Sequence, residues 1–363
     1  MLTQVRPAPL PRSPTRLALA KTLGRAALAA AWAAHSPGVR ERFLAPAPAP
    51  LVPCTWVRTA DGWELPLWRQ TPRPGADGAP VLLAVGPGLR PGCLRVRPDR
   101  SLVSALHEAG LDVYLMSHRG DPDARSPLGV QGFDFDDLVT QDLQATLDAI
   151  RARTQAERVL FVGHGMGGLM FIAHLARGGR ADLAAGVSLC APVVFDVPSS
   201  RAREVHRIAR LLPQSWRIPH RAIQRWMLAT GRDTALRPLA QQVDGPTLRR
   251  MALDGTADLS AGLVQQIGRW HQAGHLCDRM GRFDDLAALE GMAFPLLSIT
   301  GDADPICPPS AAAPLVQALR GAEAHTLKGG WGHLDPIVGA AAPRDVFPGI
   351  VRWLDRARRD CWR

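Results

Sequence analysis

Phe161-Val-Gly-His-Gly-Met-Gly-Gly168 joins an apolar run to a helix-forming one, and its reading decides the fold. Gly163, His164, Gly165, Met166 and Gly167 match G-x-S-x-G at every position except the third, where glycine stands in place of serine. A turn of this kind projects a nucleophile clear of the backbone, beside N–H groups that hold an oxyanion. Before it, Arg158-Val-Leu-Phe-Val162 reads as a short buried strand; after it, Leu169, Met170, Ile172, Ala173 and Leu175 mark an apolar helix. Small residues on both sides let strand and helix approach closely. At the tip, a residue with a Cβ is strained by about 1 to 3 kcal/mol and glycine by much less. Gly165 therefore suits the turn but brings no oxygen or sulfur, so no acyl-enzyme forms on it.

Outward from this turn, strands and helices alternate. Thr55-Trp-Val-Arg-Thr59 and Trp63-Glu-Leu-Pro-Leu-Trp68 read as an antiparallel pair around Asp61-Gly62, with Pro66 pushing the second strand to an edge. Val81–Val85 is a buried strand, Leu102–Ala109 a helix and Leu111–Met116 a strand. Residues 135–153 form an amphipathic helix with Leu138, Leu143, Leu147 and Ile150 on one face, and Gly186–Cys190 is a sixth strand. The alternation predicts a mostly parallel sheet flanked by helices. It then stops from Asp196 to Leu289, a basic, helical stretch with Pro213, Pro219, Pro238 and Pro246. An insertion here, after the sixth strand, is expected to cap a site at the strands' carboxyl ends. Its Trp216, Trp226 and Trp270 form either the cap's own small core or the wall of an apolar tunnel. Alternation resumes with strand Phe294–Thr300, a helix over Ser310–Leu319, a strand over Ala324–Leu327 and a closing helix over Asp345–Arg358. The expected division is an arm over 1–50, core over 51–195, cap over 196–289 and core again over 290–363.

Composition narrows the classes. The 363 residues are 46% hydrophobic and 21% charged, ordinary for a globular protein large enough to bury a sizeable core. A net charge of +10 invites nucleic acid or an anionic surface, but Lys21 and Lys328 are the only lysines, and the arginines are scattered through an Ala-, Gly- and Pro-rich chain. That pattern reads as coding bias, and no nucleic-acid partner is expected. Cys54, Cys93, Cys190, Cys277, Cys307 and Cys361 form no C-x-x-C pair and read as reduced thiols of a cytoplasmic protein. No run approaches the ~20 apolar residues of a membrane span. The Ala-rich helix around Ala26–Ala34 makes a poor secretion signal; it is expected to pack on the body or rest at a membrane surface through its basic side, ahead of the stiff Leu44–Pro50 linker.

Two further motifs carry chemistry. Gly301-Asp-Ala-Asp-Pro-Ile-Cys-Pro-Pro309 follows the seventh strand, and a carboxylate there can orient a histidine arriving from the last strand. Asp304 is the expected orienter, and Asp302 faces solvent or caps the loop. Gly329-Gly-Trp-Gly-His-Leu-Asp335 presents His333, which alone would be read as a structural hydrogen-bonder. The chain order elbow, Asp, His makes it a candidate general base instead. Oxyanion donors are expected at the backbone N–H of Met166 and in Val85-Gly-Pro-Gly-Leu89, where Pro87 has no N–H and Leu89 is preferred; a plain Pro-Gly turn is the alternative there.

With these motifs in order, the chain resembles the α/β-hydrolase superfamily over roughly residues 55–358, nearest its acid-lipase and polyhydroxyalkanoate-synthase side. Asp112–Gly120, Phe133–Leu138, the elbow, the Asp304 loop and Gly332-His-Leu-Asp335 carry the likeness. The resemblance implies His333 as base, Asp304 as orienter and Met166 with Leu89 as oxyanion donors, and puts His164 pointing away from the site. It supplies no nucleophile, cofactor or metal. Cys93, Cys190, Cys307 and Ser117 are the candidates to replace the serine, provided a base lies beside one of them. The expected function is action on, or binding of, an apolar acyl or ester-type small molecule. If catalytic, it proceeds by noncovalent general-base hydrolysis or proton transfer; otherwise the chain is an inactive pseudo-hydrolase that binds a ligand or partner.

Overall fold

The computed structural model describes residues 53–127, 130, 132–195, 207, 209–230 and 236–361. The expectations for residues 1–50, and part of those for 196–289, lie outside these.

Eight strands form one sheet: β1 (Thr55–Arg58), β2 (Glu64–Gln70), β3 (Pro80–Val85), β4 (Asp112–Met116), β5 (Val159–His164), β6 (Leu183–Leu189), β9 (Ala293–Gly301) and β10 (Arg320–Leu327). The spatial order is β1-β2-β4-β3-β5-β6-β9-β10, and from β4 to β10 every pairing is parallel. Every residue of β3, β5 and β6 is buried, as a sheet covered on both faces requires. Alternate side chains serve opposite layers. Leu83, Val85, Leu160 and Val162 pack with helix α1 (Leu102–Glu108) and the closing helix α8 (Phe347–Cys361). Leu82 and Phe161 pack on the other face with α2 (Gln144–Thr154) and α3 (Met166–Ala176).

Two local features depart from the sequence reading. β2 is not an edge strand: it pairs antiparallel with both β1 and β4. Pro66 is tolerated because it lies one residue outside the Leu67–Gln70 segment that meets β4, so its missing N–H interrupts no bond there. The long helix is also interrupted by a π-helical stretch over Leu138–Leu143 ahead of α2. The five-residue spacing of Leu138 and Leu143, both fully buried, fits that wider turn.

Between β6 and β9 the described chain forms α4 (His220–Ala229), α5 (Gly245–Asp254) and α6 (Ala261–Ala273). It also forms a small antiparallel ribbon of β7 (Arg217–Ile218) with β8 (Leu259–Ser260), which a purely helical reading omits. A buried polar network fastens this segment to the core. Asp136 accepts from Arg177 at 2.9 Å, from Gln266 of α6 at 2.9 Å and from the Arg279 N–H at 2.7 Å. Arg177, just past α3, also grips Asp285 through two bonds of 2.8 and 2.9 Å.

Candidate active site

The site gathers at the carboxyl ends of β5, β9 and β10. β5 runs into Gly165, whose φ of 55° and ψ of −121° lie where a side chain is disfavoured. Close approach fixes the turn: a Cβ on Gly163 would stand 2.6 Å from the Gly167 backbone, and one on Gly167 2.4 Å from the Ala84 oxygen. Glycine at these flanking positions is thus a packing requirement. The Met166 N–H then opens α3, with no backbone acceptor among the described residues.

His333 stands over the tip of this turn. A Cβ placed on Gly165 would lie 3.1 Å from His333 Nε2 and 3.6 Å from Cε1. On the other side of the ring, Nδ1 donates to Asp304 Oδ2 at 2.8 Å. The second carboxylate oxygen, Oδ1, accepts the N–H groups of Ile306 at 2.8 Å and Cys307 at 2.9 Å. Burial pushes the Asp304 carboxyl up, but the His333 bond and charge and these two amides outweigh it, so its pKa lies below the ordinary value. Asp304 is therefore ionised, and holds His333 with Nε2 free to accept a proton.

The loop bearing His333 is itself tied down by carboxylates. Asp302 accepts from the N–H groups of Gly329, Gly330 and Trp331, each at 2.9 Å, the loop-capping alternative for this residue. Buried Asp335 accepts from Gly332 at 2.7 Å, Gln241 at 3.1 Å and Gln242 at 2.9 Å, joining the loop to the segment before α5. Asp335 closes the Gly332-His-Leu-Asp335 stretch of the sequence, but nothing local to that stretch indicates its partners at Gln241 and Gln242.

His164 does not point away. Its Nε2 donates to the His333 carbonyl oxygen at 2.8 Å, and the two rings lie 4.8 Å apart. The His333 turn closes over the end of β5, so the last side chain of that strand meets its main chain. Burial and the nearby His333 charge push the His164 pKa down to about 3. At neutral pH His164 is an uncharged donor that supports the turn.

Leu89 is likewise corrected. Its N–H donates to Gly86 O at 3.1 Å, closing a turn with Pro87 second and Gly88 third at φ 93°. Proline followed by a left-handed glycine defines a type II turn, so the Leu89 N–H is consumed and cannot hold an oxyanion. The Pro-Gly signal for this was present in the sequence. Met166 remains as a candidate donor at the positive end of α3.

None of the substitute nucleophiles lines the cavity. Cys93 is fully buried and its thiol is pushed up to about 12 by burial. Cys307 is buried, with its own N–H turned to Asp304. Cys190 is buried at φ 52°, and burial and the Asp304 charge raise its pKa well above that of a free thiol. Its sulfur lies within 4.8 Å of donor atoms of Asp304 and His333, a set with the elements of a cation site. The Asp304 oxygens are already taken by the His333 ring and two amides, so these residues fit a hydrogen-bonded dyad better than a metal. Ser117 is buried, and its Oγ has no partner among the described residues.

Over the dyad lies a cavity of about 650 Å³. Gly165, Met166 and His333 form its floor; Leu169, Phe195, Leu236, Leu239, Ile267 and Trp270 give it apolar walls. Trp270 answers both alternatives for the tryptophans, since it is buried, donates Nε1 to Cys277 O at 2.8 Å and also faces the cavity. Trp216 is 52% exposed and is not part of this cavity's wall.

Comparison with known proteins agrees with this fold. A family model described as serine aminopeptidase, S33 matches residues 97–334. The poly(3-hydroxyalkanoate) polymerase subunit PhaC of Haloferax mediterranei is 24% identical over 292 residues, covering 76% of this chain and 58% of that protein. Its counterpart in Haloarcula marismortui is 23% identical, covering 78% of this chain and 62% of that protein; the chain thus spans about three fifths of these relatives. Mouse (Mus musculus) gastric triacylglycerol lipase is 39% identical over 77 residues, 19% of this chain and 20% of the lipase. Among solved structures, a Thermogutta terrifontis esterase aligns with a TM-score of 0.57 at 20% identity, covering 84% of this chain and 98% of its own.

Proposed function

We propose, for a chain that belongs to the serine aminopeptidase S33 family and has the α/β-hydrolase fold, that it acts on an ester with an apolar acyl part by general-base catalysis without a covalent intermediate. The observation that carries this reading is His333 Nε2, aimed at the missing side chain of Gly165 and backed by ionised Asp304. Water cannot take the Cβ position itself, one bond from Cα, but must stand about 3.3 Å off, toward the cavity. There it reaches both Nε2 and an ester carbonyl carbon in the cavity. Nε2 takes a proton as the water oxygen bonds to that carbon, and the Met166 N–H faces the oxyanion. Collapse breaks the bond to the alkoxide, which receives the proton from His333, leaving acid and alcohol. General-base action of this kind is worth about 10²- to 10⁴-fold, so turnover is expected to be slow.

Hydrolysis of medium-chain p-nitrophenyl esters tests this. Activity in the wild type that His333→Ala lowers by about 10²-fold or more supports it; an equal rate in both removes the base from the mechanism. A second reading, a noncatalytic acyl binder, is favoured by two observations: Gly165 provides no nucleophile and Leu89 provides no oxyanion donor. Tight ligand binding with no turnover identifies it.

A further inference from the structure

Arg221 and Arg225 lie one turn apart on α4, a like-charge spacing that destabilises a helix unless something neutralises it. Arg90, from the loop after β3, adds its charge to theirs at Arg221. The Asp258 and Asp121 carboxylates offset part of this charge, but neither reaches the Arg221 guanidinium and each has other partners. Arg90 holds Asp121 at 3.3 Å and also Asp123. Asp258 faces Arg217 at 3.6 Å, and its Oδ1 accepts the main-chain N–H of Arg221 at 3.1 Å. Arg225 donates to the Leu253 carbonyl at 3.3 Å. Among the described residues Arg221 Nε is buried with no hydrogen-bond partner, and neither Arg221 nor Arg225 is within ion-pair distance of a carboxylate. A buried N–H left unpaired is costly, and the rest of this half-buried guanidinium has no carboxylate partner, so the arrangement favours an anion from outside the chain. None of the three arginines lines the cavity over His333, but Leu89 and His220, the chain neighbours of Arg90 and Arg221, do, so the cluster stands beside its wall.

We propose that Arg221, supported by Arg225 and Arg90, binds a phosphate group carried by the molecule whose apolar part occupies the cavity. A carboxylate is satisfied by one guanidinium fork, whereas a phosphate ester offers up to two charges and three oxygens to three guanidiniums. The inference rests on the cavity being a ligand site, and the test separates the two. Octyl phosphate and 1-octanol are titrated into the full chain and into Arg221→Gln and Arg225→Gln, followed by tryptophan fluorescence, with thermal melts to show that each variant is folded. Octyl phosphate is expected to bind at least about tenfold tighter than octanol in the wild type. That advantage is expected to fall below about threefold in Arg221→Gln and to shrink with added salt, while octanol binding stays unchanged. Equal binding of the two ligands by the wild type overturns the phosphate site and leaves the cavity standing. No binding of either overturns both. An advantage that survives in both variants places the phosphate elsewhere and also overturns the proposal. If Arg221→Gln does not fold, Arg225→Gln decides by the same criterion.

Discussion

At position 165 the absence of a side chain has two measurable consequences. A serine there must adopt φ near 55° and set its Cβ 3.1 Å from His333 Nε2, closer than a relaxed contact. Gly165→Ser is therefore expected to lower stability by about 1 to 3 kcal/mol, read by chemical denaturation. After a retreat of the imidazole by a few tenths of an ångström, it should gain covalent labelling by a fluorophosphonate. A folded Gly165→Ser protein that stays unlabelled shows that His333 or the oxyanion donor is out of register. His164 sets a pH dependence. Its folded pKa of about 3 lies below the free value of 6.5, so the unfolded chain binds the extra proton between those limits. The stabilisation is complete above pH 6.5 and is lost as pH falls toward 3, on the order of a few kcal/mol. Asp304, with its depressed pKa, loses its contribution in the same direction but lower on the scale. Denaturation midpoints at pH 7.5, 5.5 and 4 should fall steeply in the wild type and less so in His164→Phe.

Among the elements, the His333 loop depends on partners distant in sequence. Asp335 receives three main-chain N–H groups, two of them from Gln241 and Gln242. Removing the carboxylate leaves the buried Gly332 N–H and the part-buried Gln241 and Gln242 N–H groups without their acceptor, so Asp335→Ala should cost about 2 to 4 kcal/mol. It should also disturb the His333 ring signals in NMR; unchanged signals mean that the loop holds its form without Asp335. The π-helical stretch has a comparable role: it carries fully buried Asp142 to Arg119, which donates to it from both side chain and main chain at 2.7 to 3.0 Å. Hydrophobic spacing marked this segment as helix but gave no sign of the pair, because a long-range ion pair has no local periodicity.

For the molecule as a whole, the question is what keeps the segment between β6 and β9 over the sheet. Arg177 joins Asp136 to Asp285 in a largely buried network, with its own side chain 17% exposed. Cutting the central cation leaves buried Asp285 without its ion pair and takes one of three partners from Asp136, which keeps Gln266 and Arg279, and Arg177→Leu is expected to destabilise the fold by about 3 to 5 kcal/mol. The same variant should admit water to the cavity, read as a red shift of tryptophan emission from the Trp270 region. A stability change under 1 kcal/mol would instead mean that apolar packing alone holds the segment. No helix of the described residues is long and apolar enough to cross a membrane.

Short continuous apolar runs and helical hydrophobic patterns, with glycine at close approaches, determined the sheet, its helices and the elbow, since these follow from local burial and backbone sterics. The chain order of Gly165, Asp304 and His333 indicated which residues meet, because strand ends in a parallel sheet share one edge. Tertiary structure alone decided the rest. Leu89 lost its N–H to a turn, His164 turned under His333, and Cys93, Cys190, Cys307 and Ser117 were left out of the cavity lining, Cys190 buried beside the dyad. Hydrogen-bond partners and side-chain directions at those positions depend on residues tens or hundreds apart in the chain, and no local pattern encodes them.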